Sequence, residues 1–254
     1  MFAISHFDSR RFFHAESANA CVVVGVSACL AGAAVRYDGQ SKNLDALQQW
    51  PSQCVRLLPI CPEVGAGLSV PRPPVQLVAS DNTTRALGRD DAHLDVTAAL
   101  QQFAQYSVQA LAHEHGLCGY IWKSRSPSCG FGSTPLFDTR GKLIDNVSGI
   151  QARAVTSALP WLIAAEETDF ASADDAAQFL LLCRLIFDAR WASLKRAELH
   201  EWHRHYTFLQ SILPIADRTA LDSAAAAGDW DNYLVLLQRA CRKVEAEQLL
   251  GLFC

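Results

Sequence analysis

Cys118-Gly119-Tyr120-Ile121-Trp122-Lys123-Ser124-Arg125-Ser126-Pro127-Ser128-Cys129-Gly130 decides the fold of this chain. Its apolar start, Cys118 to Trp122, reads as a buried strand, and the strand opens into a tight polar loop. A Cys at the tip of such a loop, with Lys123 and Arg125 nearby and hydroxyls at Ser126 and Ser128, is expected to favour its thiolate. The same pattern occurs twice upstream. Val22-Val23-Val24-Gly25-Val26 leads to Cys29, and Val55-Arg56-Leu57-Leu58-Pro59-Ile60 leads to Cys61. In a parallel sheet the loops at the carboxyl ends of the strands meet on one edge, where such folds place ligands. Three sulfurs from distant parts of the sequence are therefore expected to converge there.

Outward from these strands the chain alternates strand and helix. A short helix is predicted over 43–50, stopped by Pro51. Residues 75–79 and 84–88 read as a hairpin around Asp81-Asn82. A long helix is expected from Val96 to His115, with Asp95 as N-cap and Gly116 as a left-handed stop. A second hairpin follows over 135–145, then a helix over 149–158 and a strand over 161–164. The fold class is thus α/β, a mostly parallel sheet with helices on both faces. Beyond it, 174–194, 198–213, 217–226 and 229–250 read as amphipathic helices of a small all-α C-terminal domain packed on the first. The organisation read from this is an extension over 1–20, an α/β domain over 21–169 and a helical domain over 170–254.

Composition sets the outer limits. With 254 residues, half of them hydrophobic, the chain is long enough for a substantial core. A net charge of -4 excludes a general attraction to nucleic acid or to anionic membrane. From residue 171 onward, 9 Lys and Arg stand against 11 Asp and Glu. RNA contact would therefore rest on a local cluster such as Arg184, Arg190, Lys195, Arg196 and Arg204. The 9 Cys are scattered and odd in number, which fits reduced thiols in the cytosol better than a disulfide scaffold. Ser9-Arg10-Arg11-Phe12-Phe13 before an apolar run from Ala20 to Val35 resembles a twin-arginine export signal. That run is already explained as the first core strand and its loop, so a cytoplasmic protein with no membrane span is expected. Oligomeric state is not encoded in any pattern found here.

Three separated thiolates can hold a zinc ion, or an iron–sulfur cluster with one iron free of protein ligands. They can equally be small core residues, since free Cys is often buried. No close Cys pair of the structural-zinc kind occurs among the three, so single Cys on three loops suit a larger object. His200, His203 and His205 lack a partner of fixed spacing and are not read as a metal site.

Five stretches narrow the choice: Val26-Ser27-Ala28-Cys29-Leu30-Ala31-Gly32, Val35-Arg36-Tyr37-Asp38-Gly39, Cys61-Pro62-Glu63-Val64 with Gly67-Leu68, Pro71-Arg72-Pro73, and Lys123 through Gly130. In order and spacing they closely resemble the thiouracil desulfidase (TudS) family over residues 22–166. The helical remainder resembles a short, diverged YbgA-like domain, with His200 and His203 matching its paired histidines. The resemblance implies a [4Fe-4S] cluster held by Cys29, Cys61 and Cys129, with one iron open to the sulfur of a thiolated pyrimidine. It also implies that water replaces that sulfur without net electron transfer, on free thiouracil or on 4-thiouridine in tRNA.

A general base and an acid must then reach the ring. Glu63 is the leading base and Ser126 its partner. Their plainer readings are a helix cap or an ion pair with Arg36 or Arg72 for Glu63, and a turn hydroxyl for Ser126. Arg36, Asp38, Arg72, Lys123 and Arg125 are the substrate-binding candidates. Lys123 and Arg125 can instead offset the charge of the cluster, and Asp38 can be a turn former. The reading from another class is a non-catalytic iron–sulfur or zinc module that binds or senses.

Overall fold

The computed structural model describes residues 21–50, 54–80, 83–114, 116–195, 197–206, 209, 211–245 and 248. The expected extension over 1–20, the Pro51 stop and the Asp81-Asn82 turn lie outside them. A parallel sheet is built from β1 (Val22–Ser27), β2 (Val55–Ile60), β5 (Leu117–Trp122) and β8 (Ile163–Glu166), in the order β2-β1-β5-β8. Every residue of β1, β5 and β8 is buried. Burial on both faces is why these strands read as unbroken apolar runs instead of alternating ones. β8 begins later than expected, which brings Glu166 into the strand opposite Trp122.

The two hairpins are β3 (Val75–Ser80) with β4 (Thr83–Gly88), and β6 (Thr134–Phe137) with β7 (Leu143–Val147). They join through a short parallel pairing, Leu77 with Leu136 and Val78 with Phe137, into a second sheet of order β4-β3-β6-β7. Between β2 and β3 lies the short helix α1 (Pro62–Gly65), and a 3-10 turn at Asp45–Gln49 stands where a helix was predicted. Helix α2 (Thr97–His113) ends on Glu114, not on a left-handed Gly116. Asp95 accepts from the Thr97 amide at 2.9 Å and pairs with Arg85, one residue outside the predicted cap position. α3 (Ile150–Ala158) follows β7.

The C-terminal part holds α4 (Ala173–Leu194), α5 (Leu199–His205), α6 (Ile215–Ala227) and α7 (Trp230–Cys241). Ser172 starts α4 with a capping box, its hydroxyl accepting from the Asp175 amide while Asp175 accepts from the Ser172 amide. α4 is buried along most of its length because it lies between the sheet and the other helices. Phe179, Leu182, Cys183 and Ile186 of α4 share one apolar cluster with Val22, Val24, Val26, Ile121 and Ile163 of the strands. On the opposite face Val23, Tyr120, Trp122 and Ala164 pack with Leu111 of α2 and with Ala152 and Val155 of α3. The sheet is thus covered on both faces, as the class requires, and α4 covers one of them.

At Gly119 the sheet and α4 are in close contact. A Cβ there would come 2.3 Å from Cys183 Sγ and 2.8 Å from Phe179 Cζ. Gly119→Ala is therefore expected to destabilise the protein by about 2 kcal/mol through overpacking, read as a lower midpoint in thermal unfolding. Inside the helical part, buried Asp188 accepts from Trp202 Nε1 at 3.0 Å and from the Tyr206 hydroxyl at 2.6 Å, fastening α5 to α4. The basic cluster considered for RNA does not form one surface. Arg184 and Arg190 are buried, Arg190 against the Leu117 carbonyl and the Trp161 ring, and Arg196 lies outside the described residues. His203 is engaged by the Tyr233 hydroxyl and Asp222, each at 2.8 Å. No helix of the described residues is long and apolar enough to cross a membrane.

Candidate active site

The parallel strands end at Ser27, Ile60, Trp122 and Glu166, and the loops that leave them meet on one edge. There they line a cavity of about 520 Å³. Cys29 follows β1 in a tight turn, with Leu30 N–H donating to the Ser27 carbonyl at 2.8 Å. Cys61 precedes α1, whose Pro62 is preset for the first helical position. Cys129 is held by its loop: its amide and that of Ser128 donate to Ser126 Oγ, at 3.1 and 3.3 Å. The first amides of α3 supply further anchors, Ile150 N–H to the Pro127 carbonyl and Gln151 N–H to the Ser128 carbonyl. Gly149 allows that approach, since a Cβ there would lie 2.6 Å from the Ser128 carbonyl carbon.

Of the ten residues singled out in the sequence, Cys29, Cys61, Cys129, Glu63, Ser126, Arg36, Arg72, Lys123 and Arg125 all line the cavity. Asp38 does not. It is exposed, faces Arg36 at 3.4 Å and accepts from the Gln40 amide, as a turn former does. Arg72 is spent inside the protein, its Nε on Glu63 Oε2 at 2.7 Å, its Nη1 on the Ser69 carbonyl and its Nη2 on the Val35 carbonyl. Ser128, fully buried and overlooked in the sequence, donates to Glu63 Oε1 at 3.1 Å. Glu63 is thereby fixed from both sides.

Lys123 is also committed, to the Ser124 carbonyl and hydroxyl and to Glu167. Glu167 additionally accepts from the Ser124 amide at 2.6 Å. Burial pushes the Glu167 carboxyl up, but the Lys123 and Ser124 hydrogen bonds outweigh it and hold it below its ordinary 4.5. With the folded value depressed, the stabilisation is complete above 4.5 and is lost as the pH falls through the folded value. Glu167→Gln is therefore expected to flatten the acid limb of a plot of melting temperature against pH.

The expectation that Cys129 would favour its thiolate is corrected. Burial raises all three thiols. Cys29 is pushed up to about 11 by burial and by nearby Cys61, with Lys123 and Arg36 opposing. Cys61 rises through burial despite the backbone amide of Val64, and Cys129 rises through burial despite a hydrogen bond with Ser27. Apolar strands on either side outweigh the cations of the loop. Metal binding would displace these protons.

The donor set fits a polynuclear sulfur-bound group better than a lone ion. Three soft sulfurs face one cavity, yet among the described residues no group of three His, Cys, Asp or Glu is arranged to hold a metal ion. The Tyr120 hydroxyl, buried and without a hydrogen-bond partner in the protein, lies close enough to feel all three Cys. That is a donor left over for something bound among them.

Comparison with known proteins agrees with this site. The 2-thiouracil desulfurase family matches residues 24–167, a span that contains all three Cys and their loops. A solved structure of a [4Fe-4S]-dependent thiouracil desulfidase, TudS, is 30% identical, covering 59% of this chain and 93% of that chain with a TM-score of 0.44. A search of curated proteins finds no match.

Proposed function

This chain belongs to the 2-thiouracil desulfurase family, and on that premise we propose that it replaces the thiocarbonyl sulfur of a thiolated uracil with oxygen from water. Cys29, Cys61 and Cys129 would hold a [4Fe-4S] cluster. The observation that carries this reading is the meeting of those three sulfurs with a fixed carboxylate, Glu63, in one cavity. When bound, the cluster supplies a Lewis-acidic iron that prefers thiocarbonyl sulfur to oxygen.

The remaining work falls to the side chains. Glu63 Oε1 takes the proton of the attacking water, and the Arg72 ion pair at 2.7 Å with the Ser128 hydrogen bond keeps the carboxylate facing the ring. Ser126 Oγ already accepts two amides, so its hydroxyl proton is the group available to the substrate. Lys123, paired with Glu167, offsets the charge of the thiolates. Arg36 and Arg125 line the cavity with Arg89 and provide guanidinium groups for the ring oxygen or an attached phosphate. Asp38 orients Arg36.

The test is anaerobic purification and incubation with free thiouracil and, separately, with bulk tRNA containing 4-thiouridine, following the loss of thione absorbance. An iron-bearing protein that converts either substrate in proportion to its iron content is expected, with solvent-derived oxygen in the product. A colourless protein carrying stoichiometric zinc and inert toward both would instead establish the binding or sensing module.

A further inference from the structure

Arg125 is the only residue other than glycine with a left-handed backbone among the described residues, at φ 60°. An arginine in that conformation is strained by about 1 kcal/mol, so surrounding structure must hold it. The holding groups are visible. The Arg125 amide donates to Ser133 Oγ at 2.8 Å, and the Ser133 hydroxyl donates to Glu166 Oε1 at 2.5 Å. The same Glu166 oxygen accepts from the Phe131 amide at 2.6 Å. Glu166 is itself fixed: it ends β8, is 7% exposed, and its amide donates to Asp169 Oδ2 at 2.8 Å. One buried carboxylate thus grips the far end of the loop that carries Ser126 and Cys129, and reaches its near end through a single hydroxyl.

We propose that Glu166 and Ser133 are positioning residues. Together they hold Arg125 in its left-handed conformation and so set where its guanidinium enters the cavity. Neither was singled out in the sequence, and neither lines the cavity. Glycine is the ordinary occupant of such a backbone position and would be free of the strain. Retaining arginine gives up stability for a side chain that lines the site. The role assigned to the guanidinium rests on the function proposed above. The relay itself does not.

The experiment compares Ser133→Ala, Ser133→Thr and Glu166→Gln in the full-length protein, by amide hydrogen exchange and by thiouracil kinetics. Ser133→Ala removes the hydroxyl alone and is the variant that should fold without difficulty. Loss of a hydrogen bond to a charged group should speed exchange over 124–134 about tenfold, with β1 and α4 unchanged. Thiouracil turnover by the iron-loaded protein should show a raised KM with kcat largely retained. Ser133→Thr and Glu166→Gln, which keep the relay atoms, should restore both. Unchanged exchange over 124–134 in Ser133→Ala would overturn the relay whatever the activity. Faster exchange with unaltered KM would overturn the assignment of Arg125 while leaving the desulfidase reading intact. A protein inert toward thiouracil before any substitution would point to failure of the proposed function, and the exchange data would still judge the relay.

Discussion

Cys129→Ala is expected to abolish desulfidation while leaving the protein folded. The side chain is 6% exposed, but the backbone around it is fixed by Ser126 and by the amides of α3, not by the sulfur. Removing one buried atom of that size should lower stability by only about 1 kcal/mol. One of three sulfur ligands would be gone, and a cluster already lacking a fourth protein ligand has little to hold it. Iron content after anaerobic reconstitution and the rate of thione loss should therefore fall together, with the thermal midpoint almost unmoved. Cys118→Ala is the control. Cys118 is also fully buried on β5, but it points into the apolar cluster against α4 and should keep both iron and activity. Full turnover by Cys129→Ala would exclude the cluster assignment.

The second large effect is expected at Glu63. Glu63→Gln preserves shape and removes both the charge and the basic oxygen, so turnover should fall by about 10²–10⁴-fold while iron content stays constant. A stability loss accompanies it, because Arg72, 6% exposed at its side chain, loses its counter-charge and keeps only the carbonyls of Val35 and Ser69. That uncompensated buried charge is worth about 3 kcal/mol. Adding Arg72→Leu should recover part of the stability and none of the rate, which separates the catalytic loss from the structural one. If Glu63→Gln turned over like the parent protein, water would be activated by another group.

The parallel sheet was legible because burial on both faces leaves a mark that needs no partner to read: Val22 to Val26 and Leu117 to Trp122 are apolar without alternation. The three Cys were legible for a related reason, since each follows such a run. Which side chains would be consumed inside the protein was not legible. Arg72 looked like a ligand for substrate and is committed to Glu63 and two carbonyls, because the loops that bring them together are far apart in sequence. Arg184 and Arg190 looked like surface cations and are buried, since α4 lies between two packed layers and has no outer face to offer them.

Glu166 and Glu167 could have been found. Two carboxylates directly after Ile163-Ala164-Ala165 are unusual at the end of a buried strand. Setting that strand at 161–164 left them in a linker instead of on the edge that carries the Cys loops. The joining of the two hairpins through β3 and β6 had no such signal, because it depends on only two residue pairs.

The placement of α4 has a consequence for how the molecule comes apart. Because Phe179, Leu182, Cys183 and Ile186 seal the underside of the sheet, clipping the polypeptide just before Ala173 would leave Val22, Val24, Val26 and Ile121 facing water. The desulfidase half would then be a sticky fragment, not an independent enzyme, and the loops that present Cys29, Cys61 and Cys129 would lose the platform beneath them. Heating the intact protein should accordingly give one cooperative calorimetric peak, in which the sulfur-bearing edge and the C-terminal helices melt together.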